Sequence, residues 1–270
     1  MRVALVQRAS AIDAAANRAS IPAQLAALEP GTVDLVVLPE ASMVDFGSPD
    51  LDLAPLAEPL DGPFVQMIGA EAGRLGATVV AGMFERTDGL PFNTLVVVGA
   101  DGELRQTYRK IHLYDSFGYR ESERLLPGDI APVVVEIDGR PVGLMTCYDL
   151  RFPELSRALV DAGAELLLVP AAWVAGERKL DHWRTLLAAR AIENTVHVAA
   201  AAQGGDRYTG HSLVADPWGS IVVEAGSGSE IVHALVEADA VARAREENPS
   251  LANRRLTTTA LIDPEAGDTP

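Results

Sequence analysis

Runs of consecutive apolar residues, separated by stretches with helical spacing, set the pattern of this chain. VALVQ (3–7), VDLVVLPE (33–40) and TVVAGMF (78–84) read as strands buried on both faces, because their apolar residues do not alternate with polar ones. Between them, Ala11 to Leu28 is Ala-rich with apolar residues at helical spacing and stops at Pro30-Gly31, and Phe64 to Leu75 has the same character. The opening is therefore β-α-β-α-β, as in layered α/β folds. NTLVVVGADGELRQTYRK (93–110) carries a hairpin signal at Asp101-Gly102, which puts Lys110 at the far end of the second strand.

Residues 112–132 show no sustained period and predict a loop with at most a short helix. PVGLMTCYDLRFPELSRALVDAGAELLLVP (141–170) reads as strand, turn, helix, strand, with Cys147 at a strand end, Pro153 in the first helical turn and Gly163 at its close. HWRTLLAARAIEN (182–194) predicts a helix, and VHVAAAA (196–202), HSLVADP (211–217), SIVVEAG (220–226) and a stretch near IVHALVEAD (231–239) predict strands. A polar C-terminal arm begins at about 245. With no linker or repeat, residues 1–270 read as one α/β domain.

Composition narrows the function. The formal charge of −16, with no basic run to offset it, would repel a phosphate backbone and argues against nucleic acid as a partner; an anionic substrate would need a local cation. The N-terminus is too quickly polar for a signal peptide, and no apolar run is long enough for a membrane span, so the expected location is the cytoplasm. A single cysteine rules out an intramolecular disulfide and a thiolate metal cluster within one chain.

Cys147 at a strand-to-helix turn is either a small buried hydrophobe or an exposed nucleophile, with the N–H of Tyr148 placed to hold an oxyanion. A thiol needs a base or a cation. The five histidines (His112, His182, His197, His211, His233) show neither a cysteine-protease signature nor zinc-ligand spacing, so no metal is expected. Glu40 and Lys110 each end an apolar strand, where a charge reaches solvent or enters a polar site. The carboxyl ends of strands in open α/β sheets gather at one edge, which would bring together a base, a cation and a nucleophile.

LPE (38–40), YRKIHLYD (108–115) and CYDLRFPEL (147–155), in that order, closely resemble the three signatures of the nitrilase, or carbon-nitrogen hydrolase, superfamily. YRESERLLPGD (119–129), ARAIEN (189–194) and GHSLVADPWGS (210–220) resemble its other landmarks, so the likeness spans essentially the whole chain. The resemblance implies a four-layer αββα sandwich, a homodimer or higher homo-oligomer, and no cofactor. It implies a thioester mechanism with Cys147 as nucleophile, Glu40 as acid and base, and Lys110 with the Tyr148 N–H at the oxyanion. Glu121 matches the family's additional glutamate, with Glu123 its neighbouring alternative. Bottom-up electrostatics add that an ammonium beside Cys147 would favour a thiolate.

Tyr148, where nitrile-hydrolysing members carry tryptophan, points to amides. CYDLRFPEL most resembles the branch holding ω-amidases and deaminated-glutathione amidases, which act on small carboxylate-bearing amides; N-carbamoyl amino acid hydrolysis is the runner-up, and an inactive binding protein the non-enzyme alternative. Arg151 would either bind a substrate carboxylate or form a salt bridge with Asp149 or Glu154. Trp173 is either a pocket wall or core. Ala188, where relatives often have arginine, and AGERKLDHW (175–183), which lacks a common Thr-Gly, depart from the branch pattern.

Overall fold

A computed structural model describes residues 1–116 and 118–257 of the chain. In order the elements are β1 (Arg2–Gln7), α1 (Ala14–Leu25), β2 (Leu35–Val37), α2 (Pro63–Leu75), β3 (Thr78–Glu85), β4 (Phe92–Val98) and β5 (Leu104–Arg109). A short hairpin, β6 (Asp115–Ser116) and β7 (Tyr119–Arg120), precedes β8 (Val134–Ile137), β9 (Arg140–Leu144), α3 (Pro153–Asp161) and β10 (Leu166–Leu168). Then come α4 (Lys179–Asn194), β11 (His197–Ala200), β12 (Leu213–Ala215), β13 (Ile221–Glu224), β14 (Glu230–Leu235) and α5 (Ala240–Glu247).

Two six-stranded sheets, ordered β14-β1-β2-β3-β4-β5 and β13-β12-β11-β10-β9-β8, follow the same plan. In each, three neighbouring strands run parallel (β1, β2, β3 and β9, β10, β11). Antiparallel strands flank them on both sides. The continuous apolar runs are explained by burial on both faces. Val3, Leu5, Leu35, Val37 and Leu95 meet Val142, Leu144, Leu166, Leu168 and Val214 between the sheets. On the outer face of the first sheet, Val36, Val79 and Val96 pack on Ile21, Leu25, Phe64 and Ile68 of α1 and α2. On the outer face of the second, Leu167, Val198 and Leu213 pack on Leu155, Leu159, Trp183 and Leu187 of α3 and α4. The result is the four-layer αββα sandwich.

Proline and glycine act where the sequence placed them. Pro153 is the first residue of α3, and Gly102 takes φ +83° in the β4–β5 turn. Three elements differ from expectation. The loop at 112–132 contains the β6–β7 hairpin besides a 3₁₀ turn at Glu121–Glu123. Residues 134–137 form an edge strand, β8, which turns through Asp138-Gly139, both at positive φ, into β9. Helix α5 runs across the expected start of the polar arm and buries Ala240, Val241 and Ala244. No described helix is long and apolar enough to cross a membrane.

His197 opens β11 at 2% exposure, and among the described residues its Nδ1 has no hydrogen-bond partner. Burial and the Arg140 charge push its pKa down from 6.5 to about 4. Unfolding releases the imidazole to bind a proton, so this group withdraws stability as pH falls from about 6.5 towards 4. The full effect is on the order of 3 kcal/mol. Urea unfolding of the wild type and His197→Asn at pH 7 and pH 4.5 should show a smaller loss on acidification in the variant; equal losses would remove His197 from the account.

Candidate active site

Each strand end delivers one group. Beyond β2 the ladder runs on through Leu38, whose N–H donates to the Val80 carbonyl. The chain then turns at Ala41, at φ +57°, and Glu40 points inward with 1% exposure. Gly82 of β3 permits this approach, since a Cβ there would lie 2.6 Å from the Glu40 Cα. Lys110 is the first residue past β5, and its N–H still donates to the Asn93 carbonyl at 2.8 Å. Cys147 lies past the end of β9, opens a 3₁₀ turn (Cys147–Arg151) and takes φ +48°. That left-handed conformation is costly for a non-glycine residue. It is held by Asp149, whose Oδ2 accepts from the Thr146 N–H at 2.9 Å and from the Tyr108 hydroxyl at 2.6 Å. Its Oδ1 lies 2.7 Å from His112 Nδ1.

The groups meet in a closed cluster. Lys110 Nζ lies 3.0 Å from Glu40 Oε1 and 2.8 Å from Glu121 Oε2, with all three side chains at most 2% exposed. Asn93 Nδ2 bridges the two carboxylates, at 2.7 Å to Glu40 and 3.2 Å to Glu121. The Ala172 N–H donates to Glu40 Oε2 at 2.7 Å, and the Tyr114 N–H to Glu121 Oε2 at 2.6 Å. The Glu40 carboxylate also acts on the Cys147 thiol. Glu123, the alternative to Glu121, is exposed and pairs with Arg120.

Burial dominates the ionisation of the set. It works against the Lys110 charge, yet Glu121 and Glu40 outweigh it and hold the ammonium well above its ordinary pKa. Burial raises the Glu121 pKa, with Lys110 opposing. Cys147 differs from the sequence reading: burial first, then the Glu40 charge, push its pKa well above the usual thiol value, and Lys110 does not offset them. The resting group is a neutral thiol beside a carboxylate. Such an arrangement can remove the thiol proton as the sulfur attacks, and needs no preformed thiolate.

Around the cluster, Tyr148 stacks edge-on against Tyr114 and Phe152. Trp173 is 4% exposed, donates from Nε1 to the Lys179 carbonyl and packs on Trp183. The Arg151 guanidinium sits 4.9 Å above the Trp173 ring, and among the described residues it forms no ion pair with Asp149, Glu154 or any other carboxylate. A cavity of about 40 Å³ is lined by Glu40, Phe46, Lys110, Tyr114, Tyr119, Glu121 and Arg207. Among the described residues no group of three or more His, Cys, Asp or Glu side chains is placed to hold a metal ion.

Sequence reasoning missed Asn93, the anchoring role of Asp149, and Arg207. Asn93 was within reach of the hairpin, because the β4–β5 register pairs Thr94 with Arg109 and so sets Asn93 across from Lys110. A bulge at Val97/Val98 spoils simple counting from the turn. Converting Asn93→Asp should place a third carboxylate against Glu40 and Glu121 and cost about 2 kcal/mol or more. Like charges raise carboxyl pKa values, so that deficit should shrink as pH falls and one group takes up a proton. Unfolding measurements at pH 8 and pH 5.5 check this, and a deficit that does not change with pH would contradict the cluster's charge assignment.

Comparison with known proteins identifies the family. The carbon-nitrogen hydrolase family matches residues 2–246. The chain is 41% identical to a hydrolase of Mycobacterium tuberculosis, Rv0480c, over 94% of this chain and 95% of that one. It is 40% identical to the deaminated glutathione amidase of Escherichia coli O157:H7, over 85% and 88% respectively. Among solved structures, XC1258 of Xanthomonas campestris, a CN-hydrolase superfamily protein with an arsenic adduct in its active site, superposes with a TM-score of 0.86 at 34% identity, covering 96% of this chain and 99% of that one. The chain belongs to the carbon-nitrogen hydrolase family and is a hydrolase acting on carbon–nitrogen bonds other than peptide bonds.

Proposed function

We propose that the protein hydrolyses a small, linear, carboxylate-bearing amide through a thioester on Cys147, to acid and ammonia as an ω-amidase does, or to acid and amine where the amide nitrogen is substituted as in deaminated glutathione. The observation that carries this reading is the buried Glu40–Lys110–Glu121 cluster with the Cys147 thiol beside Glu40. Glu40 takes the thiol proton while the sulfur attacks the amide carbon. The oxyanion is held by the Lys110 ammonium and by the Tyr148 N–H in the first turn after Cys147, where helical N–H groups lack partners within the turn. The tetrahedral intermediate collapses as Glu40 passes its proton to the leaving nitrogen, which departs as ammonia or an amine. Glu40 then removes a proton from water, the hydroxide attacks the thioester carbon, and the sulfur leaves to recover its proton. Glu121 holds Lys110 in place throughout.

The substrate carboxylate rests on Arg151. Its guanidinium is stacked on Trp173, forms no ion pair among the described residues and lies in the same turn as Cys147. In a chain with a formal charge of −16, an anionic substrate needs such a local cation. The deaminated glutathione amidase of E. coli as a relative supports the same class.

A panel of ω-amides of oxo and amino dicarboxylates, with N-carbamoyl amino acids beside them, tests the reading through ammonia release. The wild type should act on ω-amides and form an acyl adduct on Cys147 visible by intact mass, while Cys147→Ala should lose at least about a thousandfold in rate. Release from carbamoyl compounds alone would replace this substrate class, and no release with no adduct would overturn the enzymatic reading. Arg151→Gln should raise KM for carboxylate-bearing amides about tenfold or more while leaving kcat within a fewfold. An unchanged KM would remove Arg151 from substrate binding.

A further inference from the structure

Arg8, the residue after β1, carries a charge that the reaction scheme does not use. It is 4% exposed, and among the described residues it forms no ion pair with a carboxylate. Burial pushes its pKa down to about 10. A cation so placed is costly unless its donors find acceptors. Arg109 and Arg254, by contrast, grip Glu85 and Asp161 through two nitrogens each. Arg8 directs its donors at neutral oxygens instead. Nη1 reaches the Ser42 carbonyl at 2.9 Å and Ser10 Oγ at 3.1 Å, while Nη2 reaches Ser20 Oγ at 2.7 Å and Asn17 Oδ1 at 3.4 Å. Its Nε has no partner among the described residues.

These contacts converge on the turn that aims Glu40. Ala41 takes φ +57° there, and Ser42 follows it, fully buried. A buried carbonyl needs a donor, and among the described residues the Ser42 carbonyl receives no hydrogen bond besides that from Arg8. Its neighbours are held separately, since Ser42 Oγ donates to the Pro39 carbonyl at 2.7 Å and Asn17 Nδ2 to the Met43 carbonyl at 3.0 Å. A second route runs through Ser10, whose Oγ also accepts from Gln203 Nε2 at 2.8 Å. That nitrogen donates in turn to the Glu40 carbonyl at 2.9 Å. The guanidinium thus reaches the backbone on both sides of Ala41, directly at Ser42 and through Ser10 and Gln203 at Glu40. Its own backbone is anchored, because the Gly204 N–H donates to the Arg8 carbonyl at 2.7 Å.

We propose that Arg8 is a positioning residue for the general base: by holding the Ser42 and Glu40 carbonyls it keeps Ala41 left-handed, and so keeps the Glu40 carboxylate aimed at Lys110 and Cys147. The proposal rests on the function given above, in which Glu40 moves each proton. A left-handed alanine relaxes to a more favourable backbone conformation when nothing restrains it. Glu40 is its immediate neighbour, so that relaxation displaces the base. A displaced base slows the chemical steps while substrate binding, which falls to Arg151, stays in place. Arg8 therefore acts on kcat from outside the cavity, without touching substrate.

Steady-state kinetics on succinamate and glutaramate, with a melting temperature for each protein, test the assignment in wild type, Arg8→Met, Arg8→Lys and Arg8→Met combined with Ala41→Gly. Arg8→Met should lower kcat about tenfold to a hundredfold with KM within a fewfold. Arg8→Lys, whose ammonium still donates to the Ser42 carbonyl, should lose less. Glycine adopts positive φ without the alanine penalty, so adding Ala41→Gly should raise kcat severalfold above that of Arg8→Met. A purely structural role for Arg8 would not be repaired at residue 41. Should Arg8→Met fail to fold, the same recovery is read between Arg8→Lys and Arg8→Lys combined with Ala41→Gly. An unchanged kcat in the Arg8 variants would overturn the proposal, as would a loss that Ala41→Gly leaves in place; with an active wild type, either result removes Arg8 alone. Wild type that cleaves neither ω-amide and forms no adduct on Cys147 would remove the underlying function, and the role of Arg8 with it.

Discussion

A lysine ammonium buried between two carboxylates is the constraint around which this structure is arranged. Taking Lys110, Glu40 and Glu121 out of water costs several kcal/mol per charge, and only close contact with further hydrogen bonds repays it. Those bonds come from Asn93, the Ala172 N–H and the Tyr114 N–H, which satisfy the two carboxylates, while Asn93 Oδ1 has no partner among the described residues. Removing one member would strand a charge in a site with almost no solvent. The same closeness sets the state of Cys147: burial and the Glu40 charge together keep the thiol protonated.

The cluster also explains why two sheets are needed. Glu40 and Lys110 come from the first sheet, past β2 and β5, whereas Cys147 and Ala172 come from the second, past β9 and β10. Parallel strands point their carboxyl ends one way, and packing the sheets face to face brings both sets of ends to one rim. Gln203, beyond β11, ties them by donating to the Glu40 carbonyl at 2.9 Å, and an isolated bridge links Arg8 to Gln203. The positive φ at Cys147 and at Ala41 are the local conformational costs of aiming these groups into the shared rim.

Much of this was legible in the residues. Continuous apolar runs announced strands buried on both faces, and the charges that ended them, Glu40 and Lys110, were out of place unless they met. Glu121 could be placed only through its resemblance to family members, because the loop carrying it has no periodicity. What escaped has physical causes. Strand β8 lies on a sheet edge with three of its four residues partly or fully exposed, although its Asp138-Gly139 turn was readable. Helix α5 buries two alanines and a valine, which leave little hydrophobic signal. Arg151 could not be assigned because its alternatives, a salt bridge or a free guanidinium, differ only in geometry. The thiol was expected to lean towards thiolate because adjacency to lysine is visible in a motif, whereas depth of burial is not.

The most direct test of the account is the protonation state of Cys147, which the chain's single cysteine makes accessible. Thiolate absorbance near 240 nm, taken as the difference between wild type and Cys147→Ala, should be absent at pH 7 and throughout the range from about 6 to 9, because the folded-state thiol titrates above its usual value. A thiolate signal already present at pH 7 would mean that Lys110 stabilises a preformed anion, and would contradict a mechanism in which Glu40 removes the proton as the sulfur attacks.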